Sequence, residues 1–103
     1  MGMVITGTGM ALGEHLVPNA ALARVCDTTN EWIVERTGIL QRYYAANGTA
    51  PSDLAQRAAQ AALAEAGVKP DDIDYLIVAT MTPDYYFPGV APLLQKKLGL
   101  RAI

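Results

Sequence analysis

The sequence is short of the side chains that most often carry chemistry. Its 103 residues include one cysteine, Cys26, and one histidine, His15. That excludes an internal disulfide framework and a Cys/His zinc site, and a Cys-His catalytic pair would have to be built from those two residues. Basic residues are not in excess, with eight Lys and Arg against ten Asp and Glu, so a nucleic-acid-binding surface is not expected. No apolar run approaches the roughly 18 residues that span a bilayer. The N-terminus has neither the cationic segment nor the apolar stretch of a secretion signal. A third glycine at dinucleotide spacing and a Walker lysine are both missing after Gly7-Thr8-Gly9. The expectation is a reducing, cytoplasmic setting, without metal, membrane or nucleic acid.

What is present is apolar. Hydrophobic residues make up 51% of the chain and charged ones 17%, too apolar for a disordered tail. The β-branched run Val4 to Gly9 predicts an opening strand, and Met10 to Pro18, without a sustained period, predicts a loop. Asn19 is placed to cap a short helix through about Arg24. Thr28-Thr29-Asn30-Glu31 has capping-box spacing, and a helix over Trp32 to Thr37 then ends at Gly38. Ile39 to Tyr44 predicts a short strand ended by Asn47-Gly48. The strongest helix signal runs from Ser52, as N-cap, to Ala66, with Gly67 as its stop. Its alanine-rich face allows another backbone to come close. Lys69 to Asp72 predicts a turn, Tyr75 to Met81 a strand covered on both faces, and Gly89 to Leu98 a final helix with Pro92 in its first turn. Strands alternating with helices indicate α/β architecture, yet so few strands cannot cover a central one. The pattern describes one incomplete domain over residues 1–103, with no linker.

Few residues suggest chemistry. Cys26 precedes a helix cap but adjoins Asp27, which opposes thiolate formation; a small apolar filler is the simpler expectation. His15 reads as an exposed loop residue, and Asp71, Asp72 and Asp74 as solvated turn carboxylates. No catalytic residue is assigned. Trp32 and Arg36 are four apart and share a helix face. Such a pair stacks on a purine and holds a phosphate, or else shields its own helix. Tyr85-Tyr86-Phe87 is suited to a pocket, a subunit interface or a core.

At these residues the chain resembles a known family. Asp27 to Ile39 reads DTTNEWIVERTGI, which is similar to the pattern D-T-[ST]-[DN]-E-W-I-x-x-R-T-G-I of the β-ketoacyl-acyl-carrier-protein synthase III enzymes, members of the thiolase-like superfamily. Gly7-Thr8-Gly9, Pro18-Asn19, Ser52-Asp53-Leu54-Ala55, Ala66-Gly67, Asp72-Ile73-Asp74, Ile77 to Thr80, Thr82-Pro83-Asp84 and Phe87-Pro88 continue the resemblance in order and spacing. It implies the N-terminal part of a layered α-β-α-β-α fold, incomplete in this chain. It also implies a decarboxylating Claisen condensation that initiates fatty-acid synthesis: an acyl group passes from coenzyme A to a cysteine and is joined to malonyl-acyl carrier protein. Acyl-coenzyme A is then a substrate, and no separate cofactor is implied. By the same resemblance Trp32 stacks on the adenine of coenzyme A and Arg36 lies by its nucleotide and phosphates. Thr28 and Thr37 line the entrance, and Phe87 lies at a homodimer interface, shaping the partner's acyl pocket.

The departures are equally informative. The family's nucleophilic cysteine follows a strand that would begin near Arg101, and its histidine and asparagine come much later; Cys26 and His15 match none of them. An activated thiolate accepts the acyl group, and the other two stabilise the developing oxyanion. This segment is therefore expected to be inactive alone and ordered by the remainder of the enzyme, a companion chain or a non-native oligomer. Gly89, where the family often has serine, and Pro92 leave acyl-chain preference open. A non-catalytic coenzyme A-binding or assembly module and a polyketide or alkylquinolone starter-condensing relative are the alternative readings.

Overall fold

Asn19 organises one of the two units into which the computed structural model divides. That unit is residues 12–48, and the other is the stretch through Ala11 together with residues 49–103. Residues 2–103 are described.

In the first unit, strand β1 (His15–Pro18) pairs antiparallel with β2 (Gln41–Tyr44), His15 facing Tyr44 and Pro18 facing Gln41. β1 replaces the loop expected over residues 10–18, because four residues are too few for alternation to register. Helices α1 (Asn19–Ala23) and α2 (Asn30–Thr37) lie between the strands in the chain. Asn19 does not cap α1, since Pro18 is the N-cap and makes no side-chain bond. Its side chain is buried instead. The Asn19 amide donates to Asn30 Oδ1 at 2.9 Å and to the Ile39 carbonyl at 2.8 Å, while its oxygen accepts from Arg42 Nη2 at 2.8 Å. These bonds tie the starts of α1 and α2 to β2 with every amide hydrogen used.

Two expectations in this unit need correction. Cys26 is exposed rather than buried; it falls in the turn after α1, where its amide closes on the Leu22 carbonyl and no element covers the thiol. His15 is exposed as expected, but on a strand instead of a loop.

The second unit is built on helix α3 (Pro51–Ala66), followed by a 3-10 turn (Pro70–Asp72) and helix α4 (Val90–Leu98). Val90 and Leu94 on α4 are buried, each contributing about 1.5–3 kcal/mol relative to an exposed side chain. Gln56 of α3 donates to the Lys97 carbonyl at 3.0 Å, fastening the two helices. On its alanine face, α3 receives the segment around Gly7 and Gly9. A β-carbon at Gly7 would stand 2.3 Å from the Ala62 carbonyl oxygen, and one at Gly9 would stand 2.1 Å from that of Ala58. These glycines are there for close backbone approach, as the sequence suggests. Thr8, between them, donates its hydroxyl to Glu65 at 3.0 Å and its amide to the same carboxylate. Both bonds hold the Glu65 carboxyl below its ordinary range.

The expected strands over residues 4–9 and 75–81 are not strands, since among the described residues the only ladder is β1 with β2. A strand is defined by a neighbour's hydrogen bonds, and neither segment finds one. Their apolar side chains are correspondingly uncovered, with Ile5 at 82%, Ile77 at 80% and Met81 at 95% exposure. Intrinsic preference for β structure persists in the sequence while the pairing it requires is not made.

Candidate functional site

The most chemically suggestive surface of the first unit is the N-terminal end of α2. Thr29 is its N-cap, one residue later than the capping-box spacing predicts, and its hydroxyl accepts from the Trp32 amide at 3.1 Å. The helix ends at Gly38, whose φ of +71° suits glycine. Between these stops the 3.6-residue repeat puts Trp32 and Arg36 on one face, and the Arg36 Cζ lies 5.1 Å from the centroid of the Trp32 ring. That is within cation–π distance. The indole is 52% exposed, so its contact with Arg36 leaves apolar ring surface open to solvent.

Asp27, Thr28, Thr29 and Trp32 line a recess of about 310 Å³. Among the described residues, Thr28 Oγ1 is the one buried side-chain oxygen or nitrogen without a hydrogen-bond partner. Buried hydroxyls are normally satisfied. The orphan hydroxyl lies in a residue that lines the same recess as the open aromatic ring.

Thr37 is differently employed. Its hydroxyl donates to the Ile33 carbonyl at 2.7 Å and accepts from the Ile39 amide at 3.0 Å, closing the C-terminal end of α2. It does not line the recess. Phe87 belongs to the second unit and is 92% exposed, with Tyr85 and Tyr86 beside it also exposed. Within this chain the loop is not packed into a core.

Sequence reasoning missed two supporting groups. Asn19 read as a helix cap, although it fixes the start of α2 through Asn30. Asp84 gave no signal beyond its place in Thr82-Pro83-Asp84. It accepts from the Ser52 amide at 2.9 Å and the Ser52 hydroxyl at 2.6 Å. Ser52 thus lies inside the first turn of α3, with Ala50 as the N-cap. Burial raises the Asp84 pKa, but the two Ser52 bonds and the nearby Lys97 charge hold it below the ordinary 3.8.

No family model matches the chain. Individual relatives do. It is 53% identical over 97 residues to a β-ketoacyl-[acyl-carrier-protein] synthase III of Cereibacter sphaeroides, covering 94% of this chain and 30% of that protein. The same-named protein of Ruegeria pomeroyi is 50% identical, with the same coverage. Among solved structures, the 3-oxoacyl-[acyl-carrier-protein] synthase III of Aquifex aeolicus superposes with a TM-score of 0.89 at 39% identity, over 99% of this chain and 33% of that one. A priming β-ketosynthase of the R1128 polyketide biosynthetic pathway gives 0.84 at 33% identity, over 92% of this chain and 28% of that one. The chain spans about a third of the length of the relatives it matches. It is similar in backbone to an N-terminal portion of their α/β thiolase-like fold. In sequence and in backbone alike, the chain is similar to the N-terminal third of β-ketoacyl-[acyl-carrier-protein] synthase III proteins.

Proposed function

We propose that this chain forms the coenzyme A-facing part of a cytoplasmic, homodimeric acyltransferase that condenses an acyl-coenzyme A starter with malonyl-acyl carrier protein. The observation that carries the reading is the exposed Trp32 ring with Arg36 stacked on it, beside a recess that holds the unpartnered Thr28 hydroxyl. An adenine stacks on the open indole surface, its polar edge meets Thr28, and the Arg36 guanidinium faces the phosphates. Thr37 supports the site indirectly, by closing the C-terminal end of the helix that carries Trp32 and Arg36. The aromatic loop supplies Phe87 to a second copy of the enzyme.

The residues that carry out acyl transfer and decarboxylation lie, on this reading, in the part of the family fold beyond the matched third. Cys26 and His15 take no part in them. This chain contributes binding and orientation, and the thioester forms elsewhere in the complete enzyme.

The test is a hybrid synthase in which residues 1–103 replace the corresponding part of the Cereibacter sphaeroides relative. Trp32→Ala should raise the KM for acyl-coenzyme A on the order of tenfold or more, from lost base stacking. Its kcat should change little, because uniform binding is what is removed. An unchanged KM in Trp32→Ala would reject the platform.

A further inference from the structure

Ser52 is fully buried, and it joins three segments of the second unit. It sits in the first turn of α3, where backbone amides have no partner within the helix. The N-cap, Ala50, has no side-chain oxygen to offer them, and Pro51 has no amide hydrogen. Asp84, 32 residues away, takes the Ser52 amide on one carboxylate oxygen and the Ser52 hydroxyl on the other. Lys97, near the end of α4, then donates to Ser52 Oγ at 2.6 Å and also to Asp53. The Ser52 hydroxyl is therefore oriented, receiving from Lys97 and giving to Asp84. Asp53 completes the arrangement by accepting from the Ala50 amide at 2.8 Å.

Asp84 immediately precedes Tyr85-Tyr86-Phe87, whose side chains are exposed. On the far side of this loop the chain is fixed again where Val90 is buried at the start of α4. The loop is thus held at its two ends, by a bidentate polar clamp and by an apolar plug, while its aromatic side chains project outward. A charged two-point contact fixes direction as well as place.

We infer that Asp84 is a positioning residue which, through Ser52 and Lys97, sets the direction in which Tyr85–Phe87 are presented and thereby the acyl-chain selectivity of the site they complete. This rests on the reading of Phe87 as part of an acyl pocket. Asp84 touches no substrate. It acts through the loop that follows it, so disturbing it should change which acyl chains are accepted without changing how coenzyme A is held.

The hybrid synthase tests this with Asp84→Asn, which removes one acceptor and the charge, and with Ser52→Ala, which removes the hydroxyl and keeps the amide. For each, kcat/KM is measured with acetyl- and octanoyl-coenzyme A, together with coenzyme A affinity from Trp32 fluorescence. The expected result is a change of about tenfold in the octanoyl-to-acetyl ratio in Asp84→Asn, the scale of a misplaced apolar pocket wall. A smaller change in the same direction is expected in Ser52→Ala, with coenzyme A affinity unaltered in both. An unchanged ratio, or an equal loss for both substrates, overturns the inference. Should Asp84→Asn not fold, the ratio in Ser52→Ala decides. Failure of the Phe87 reading is separately visible: Phe87→Ala would then leave the ratio unmoved.

Discussion

Gly9→Ala gives the sharpest test of the packing. The added β-carbon would lie 2.1 Å from the Ala58 carbonyl oxygen, 2.7 Å from the Ala62 amide nitrogen and 3.0 Å from the Ala61 β-carbon. Reaching even the 3.0 Å lower limit of such contacts requires the segment and α3 to part by about 0.9 Å. The two tightest neighbours are backbone atoms of a regular helix, so no rotamer change relieves them. Overpacking typically costs about 1–3 kcal/mol, and a backbone clash of this size belongs at or above the upper end. Separation would also stretch the two bonds from Thr8 to Glu65. Chemical denaturation of the hybrid synthase, followed by circular dichroism, should show a loss of about 3 kcal/mol or more for Gly9→Ala. Gly2→Ala, with nothing within 4 Å, should stay within about 0.5 kcal/mol of the parent. Adding Ala61→Gly should not rescue Gly9→Ala, because the obstruction is carbonyl and amide. A Gly9→Ala protein within 1 kcal/mol of the parent, or one restored by Ala61→Gly, would refute the close-approach argument.

Other outcomes follow from the polar network. Asn19→Ala leaves Asn30, the Ile39 carbonyl and Arg42 each short of a partner. It should destabilise by about 1–3 kcal/mol, since the buried Asn19 side chain gives up three hydrogen bonds worth roughly 0.5–1.5 kcal/mol each while its more exposed partners regain water; denaturant titration measures it. Asp84 and Asp53 both have carboxyl pKa values below the ordinary 3.8. For Asp53 the Lys97 and Ala50 hydrogen bonds are responsible; for Asp84 the Ser52 bonds outweigh burial. A depressed folded-state value means the stabilisation is complete above the unfolded value and is lost as pH falls through the folded one. Stability of the hybrid should therefore decline as pH drops below about 3.8. Asp84→Asn should show a shallower decline over the same window, and an equal slope would contradict the assignment.

Much of the first unit's site was legible because it is local. Trp32 and Arg36 meet through helical periodicity alone, and Gly38 ends α2 by its own backbone preference. The cap moved from Thr28 to Thr29 because two adjacent threonines satisfy the same pattern, and only one hydroxyl reaches the Trp32 amide. That shift leaves the Thr28 hydroxyl buried without a hydrogen-bond partner. Asn19 and Asp84 were misread or passed over for the opposite reason. Their partners lie 11 to 32 residues away, and polar residues advertise such pairings by no periodicity.

The sequence by itself determined the helices, their stops, the glycine-alanine seam and the family resemblance, since each depends on neighbouring residues or a fixed spacing. Tertiary structure alone decided which β-prone segments become strands. Residues 4–9 and 75–81 have the composition of strands but no ladder, while His15–Pro18, with a weaker signal, pairs with Gln41–Tyr44. The physical reason is that a helix satisfies its backbone within itself, whereas a strand depends on what lies beside it.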